Sequence, residues 1–150
     1  MRAENSKLIC IKFCEQLMDI AAPVANHRFA KHPDFGNSEA AAEFQKELIY
    51  CNELLEQKFK LSRGILELQK FEADRHSLAL LQWTHVYTMN PCVCIATLAH
   101  IFQKPPKSEI EDFPKFVQIC ASAVPDTVRR AKSVLESIDF TDPDWGKRLL

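Results

Sequence analysis

The sequence predicts an all-α fold, a single-domain bundle of six or seven helices around a central apolar helical hairpin at about residues 77–103. Three observations carry this. Apolar residues recur at three- and four-residue spacings almost throughout, and no run alternates apolar and polar β-formers. From Ser77 to Gln103 there is no Asp, Glu, Lys or Arg, so this stretch reads as two helices surrounded by others, broken at Asn90-Pro91. Ser, Asn and Asp precede several apolar runs, often followed by proline, as at helix starts. With 150 residues, about 68–70 % of the unfolded surface can be buried, enough for a core without metal or disulfide staples.

The first helix spans about Ser6 to Ala22, with Ser6 as cap and Pro23 as terminator; Ile9, Phe13, Leu17 and Ile20 form its stripe, flanked by Cys10, Cys14 and Met18. A long ordered connection, about 23–37, follows. It contains Val24, Phe29 and Phe35, and its aromatics are expected to pin it to the bundle. The second helix, about Ser38 to Leu61, is the longest. Phe44, Leu48, Cys51 and Leu55 make one seam, and Tyr50, Leu54 and Leu61 a second stripe to its side, so this helix needs neighbours on two sides. Ser62 caps a short third helix with Ile65, Leu68 and Phe71, unless residues 60–63 only kink the long one. The hairpin comprises helices at about Ser77–Met89 and Pro91–Gln103.

Lys104-Pro105-Pro106-Lys107 is an extended break. Ser108 and Glu111 form a capping box, with a start near Asp112 as the alternative because Pro114 suits only a first turn. A sixth helix ends before Pro125, and Asp126 caps a seventh with Val128, Ala131, Leu135 and Ile138. The tail, 139–150, is expected to fold Phe140 and Trp145 back onto the bundle.

Composition removes several function classes. Lys and Arg number 19 against 20 Asp and Glu, so no net charge favours nucleic acid or an anionic membrane, and the basic clusters at 58–63 and 129–132 have no interleaved aromatics. Three isolated glycines cannot build a phosphate loop. The charge-free segment is long enough to cross a bilayer, but its Gln, Thr, His and Asn residues and its Asn-Pro break argue against a membrane span. No export signal is visible, so the expected location is intracellular, nuclear or cytoplasmic, with the six cysteines as buried thiols.

No metal, cofactor or catalytic residue is expected. Cys92 and Cys94 diverge by about 200° around a helix and cannot chelate one ion. His85 and His100 face each other across the predicted hairpin, yet no local signature joins a histidine to a nucleophile. The expected function is therefore non-enzymatic: an adaptor or scaffold module that binds a helix or short linear motif of another protein. Its groove lies beside the long helix or at the 23–37 connection, with Phe29, Phe35, Tyr50, Leu54 and Phe59 as contacts. An obligate homodimer through the long helix is the alternative.

Three stretches, Ser62-Arg63-Gly64-Ile65-Leu66-Glu67-Leu68, Ile95-Ala96-Thr97-Leu98-Ala99-His100-Ile101 and Val128-Arg129-Arg130-Ala131-Lys132-Ser133-Val134, resemble in order the integrase-binding domain of lens-epithelium-derived and hepatoma-derived growth-factor-related proteins. That resemblance implies a small helical chromatin adaptor that binds short motifs of nuclear partners. The stretches cover a minority of the chain. Where that family carries a hydrophobic-acidic pair and a second aromatic, this chain has Phe59-Lys60 and Lys104, so no binding residue is transferred.

Overall fold

In the computed structural model, which describes residues 2–103 and 112–149, five α-helices and a 3₁₀ turn follow one another: α1 (Ala3–Ala25), α2 (Arg28–Lys31), α3 (Ser38–Gln69), α4 (Arg75–Phe102), α5 (Phe113–Glu136) and the turn Trp145–Leu149. No strand occurs among the described residues. The four long helices form an up-down-up-down bundle. Phe13 of α1 meets Phe59 of α3 at 5.7 Å, and Phe44 of α3 meets Phe102 of α4 at 5.4 Å, so each of these pairs runs antiparallel. Lys132 of α5 bonds Glu15 of α1 at 3.1 Å, which closes the ring of helices. Helices α1 and α4 each lie against the other three, and α4 carries the most buried residues, 12 against 6 in α1.

The predicted central hairpin does not exist: residues 75–102 are one helix. The reason is register. Buried residues at 81, 84, 88, 91, 95, 98 and 102 keep alternating spacings of three and four straight through Pro91, which is itself a core position. An interior proline removes one backbone hydrogen bond and crowds the preceding turn, but core packing on both sides holds the two halves in line. The same correction applies to Pro125. The buried run Phe113, Val117, Cys120, Val124, Val128, Ala131, Leu135 continues across it, so the sixth and seventh predicted helices are α5. Pro23 sits within the last turn of α1 rather than ending it. Ser62 caps nothing; the predicted third helix is the end of α3. Six or seven helices thus become five among the described residues. The break at 104–107 and the Ser108–Glu111 capping box lie outside the described residues, and α5 starts at the alternative site beside Asp112.

Helix α1 is also rotated from its expected setting. Its buried side is Ser6, Cys10, Cys14, Leu17, Ala21 and Val24, while Ile9 and Phe13 lie on a flank. Small side chains let the α1 backbone come close to α4 and α5: the Cys10 thiol reaches the Leu80 carbonyl at 3.6 Å.

Side chains fix the helix ends. Asn37 Oδ1 accepts from the Ala40 N–H at 3.1 Å at the start of α3, and Asp74 Oδ1 from the Ser77 N–H at 2.8 Å at the start of α4. The Ser77 bonds hold the Asp74 carboxyl below its ordinary range. Lys7 donates to the Ile138 carbonyl at 2.9 Å, satisfying a backbone acceptor just past the C-terminal end of α5. At one end of the bundle, Phe29, Phe35, Phe44, Phe102 and Phe113 form a ring-on-ring plug, with centroids 5.0–6.2 Å apart. The tail folds back through Trp145, which is buried against His76 and Phe140.

Candidate functional site

Helix α3 is 32 residues long, or about 48 Å. Phe44, Leu48, Cys51, Leu55 and Phe59 turn inward. The second stripe, predicted as Tyr50, Leu54 and Leu61, continues through Ile65 and Leu68 because the helix does not break. It faces solvent: Tyr50 is 61 % exposed, Leu61 62 % and Leu68 74 %. This stretch of helix spans about 27 Å.

Beside the C-terminal half of that stripe lies a half-enclosed cavity of about 140 Å³ between α1, α3 and α4. Ile9, Phe13, Leu61, Ile65 and Leu81 supply apolar walls. Ser62, Thr84 and His85 supply the polar part, and Gln16 and Lys58 close one side through a 3.2 Å bond. Ser62 Oγ shares a hydrogen bond with His85 Nδ1 at 2.9 Å. Thr84 is 2 % exposed, and its hydroxyl meets no nitrogen or oxygen partner among the described residues.

The Ser62–His85 pair invites comparison with a nucleophile and its base. Burial lowers the His85 pKa, and the neighbouring Arg63 cation lowers it further, so the ring is neutral near pH 7. A triad-like base needs a third group to orient it, and no hydrogen-bonded carboxylate accompanies this one among the described residues. Ser62 also lies inside α3, where backbone N–H groups are committed to the helix and cannot line an oxyanion hole. As arranged, the pair satisfies two polar groups at the edge of the core.

His85 and His100 do not meet. They lie about 22 Å apart along one helix, His85 buried and His100 exposed. Burial, as the largest cause, pushes the Cys14, Cys51, Cys92 and Cys120 thiols up to about 12, and raises Cys10 as well, so these are protonated packing groups. No group of three potential metal ligands converges among the described residues, and no helix there is long and apolar enough to cross a membrane.

The five predicted contact residues divide. Phe29 is 2 % exposed and sits in the aromatic plug, with half-buried Phe35 against it. Phe59 is buried against Phe13 and His85. These three hold the bundle together rather than offer a surface, because the connection and the inner face of α3 need them as core. Tyr50 is free and Leu54 half-exposed, both on the outer stripe. Sequence reasoning missed Ile9, Phe13, Ile65, Leu68 and the polar cavity floor. The signal for Ile65 and Leu68 was present as continued three-four spacing past Leu61.

No family model, curated protein or solved structure matches this chain. The three stretches that resemble the chromatin adaptor domain fall on α3, α4 and α5.

Proposed function

We propose that this chain is a non-enzymatic interaction module, an adaptor or scaffold that receives an amphipathic helix along α3. The supporting observation is the outer stripe on α3, where Tyr50, Leu61, Ile65 and Leu68 are exposed and Leu54 among them is partly buried. Its heptad-like spacing matches a helix that carries apolar residues every three or four positions, the helix-in-groove mode of recognition. Large apolar side chains left together on one helix face are what an interface core requires. The adjoining cavity is close to the volume that takes up a benzene ring, so it suits one aromatic or leucine anchor of the docked helix.

A photo-crosslinking amino acid at position 61 tests this, with position 129, also exposed, as control. The expected result is an adduct from position 61, absent from position 129 and lost when Leu68→Glu is added. No adduct at position 61, or equal adducts at both positions, contradicts the reading.

A further inference from the structure

One flank of the α3 stripe carries a regular charge pattern. Glu39, Lys46, Glu53, Lys60 and Glu67 recur every seven residues with alternating sign. Positions seven apart stay within about 20° of one another around a helix, so these five form one row. All five are exposed, and none takes part in an ion pair among the described residues. The last three immediately precede Leu54, Leu61 and Leu68, the place of flanking charges in a two-helix seam.

From this row we infer that the helix received by α3 is α3 of a second copy of this chain, packed antiparallel about a two-fold axis; the inference rests on the docking role given to the α3 stripe. A two-fold contact is self-complementary, so each pairing occurs twice. The register that sets Glu53 opposite Lys60 of the second copy also sets Lys46 opposite its Glu67, giving four opposite-charge pairs. The same register stacks Leu61 on Tyr50 and Leu54 on Gln57, so the central layers hold no charge, while Glu47 and Glu43 fall at the ends of the contact against Gly64 and Leu68. Shifting by two heptads pairs Glu39 with Lys60 and Lys46 with Glu53, but moves Glu43 and Glu47 from the ends of the contact to its centre, against Leu54 and Tyr50, so the central apolar layers select the first register. Parallel pairing brings Glu53 toward Lys58, already bonded to Gln16, and sets Lys46 and Lys60 opposite Cys51 and Ile65. In the antiparallel arrangement, Lys58 falls beside Cys51 of the second copy and about 7.5 Å along the helix from its own symmetry mate, and its Gln16 bond draws the ammonium toward α1.

Charge reversal tests both partner and register. Sedimentation velocity is run on the whole chain, on Lys60→Glu, on Glu53→Lys, and on an equimolar mixture of the two variants. Concentrations extend from about 1 to about 100 µM, where a Kd of micromolar order is visible. The wild-type chain should sediment at twice its 17.2 kDa mass at the upper end. Each variant should sediment as a monomer, because Glu meets Glu or Lys meets Lys twice. The mixture should regain the double mass, since every pair is then opposite in sign. Circular dichroism of both variants should match the wild type, as both positions are exposed. A wild-type monomer throughout, single variants that still dimerise, or a mixture that stays monomeric overturns the second-copy assignment. If the wild type is monomeric while position 61 still forms an adduct with another protein, the docking face stands and only its occupant is wrong. If neither is seen, both fail.

Discussion

Phe29 and Tyr50 are both aromatic, yet the bundle uses them in opposite ways. Phe29 stacks on Phe44 at 5.1 Å and meets Phe35 and Phe102 edge-on. Phe29→Ala should cost about 3–5 kcal/mol, because it empties a packed site. Tyr50→Ala removes a side chain that touches mainly water and should change stability by no more than about 0.5 kcal/mol, while weakening association. Urea unfolding of the two variants beside sedimentation checks this; a Tyr50→Ala variant that unfolds as easily as Phe29→Ala would place Tyr50 in the core.

His85 gives the residue scale its pH dependence. Its pKa in the fold lies below the ordinary 6.5, chiefly through burial. Above pH 6.5 the ring is neutral folded or unfolded, and its contribution to stability does not vary. As pH falls from 6.5 toward the folded value, the unfolded chain binds a proton that the folded chain refuses, so stability declines, and it levels off below the folded value. His85→Gln keeps a hydrogen-bonding group near Ser62 without that titration. The urea midpoint of the variant should vary less with pH across this window than that of the wild type; equal slopes would show that His85 is not the group responsible.

At the scale of elements, the continuity of α3 carries the outer stripe, and Gly64 tests it. Gly64 lies in the helix interior with no heavy atom within 4 Å of where a β-carbon would sit. Gly64→Ala should therefore stabilise the chain by about 0.8–1.0 kcal/mol, raising the melting temperature by about 2–4 °C. A helix broken near Ser62 would give no such gain. Helix type and the inner seam of α3 were legible in the sequence because three-four spacing is a direct consequence of 3.6 residues per turn. Helix number was not. Asn90-Pro91 and Pro125-Asp126 carry the local chemistry of boundaries, while the apolar register runs on through both prolines. Tertiary burial overrides the local cost of proline, and register across a break is the better guide here. The α1 setting was misread because Ile9 and Phe13 outrank Cys10, Cys14 and Ala21 in hydrophobicity, although the small residues are the ones that permit close helix approach. Of the site, Tyr50, Leu54 and Leu61 were legible as a stripe. The cavity was not, because it needs three helices brought together.

For the molecule as a whole, the aromatic plug at one end and the buried faces of the four long helices account for the fold, and the outer side of α3 is the face proposed for recognition. The ion pairs proposed between two copies along that side would lie near solvent, so salt should weaken association while the apolar layers keep part of it. Hydroxyl-radical footprinting of the protein in intact cells, set against the purified chain at high dilution, compares side chains that are all open in the isolated bundle. Tyr50, Leu61 and Leu68 should be protected in cells, while Ile119 on α5, 55 % exposed, reacts equally in both. Equal reactivity of Tyr50, Leu61 and Leu68 in the two states, or protection centred on Ile119, would contradict the assignment of α3 as the binding face.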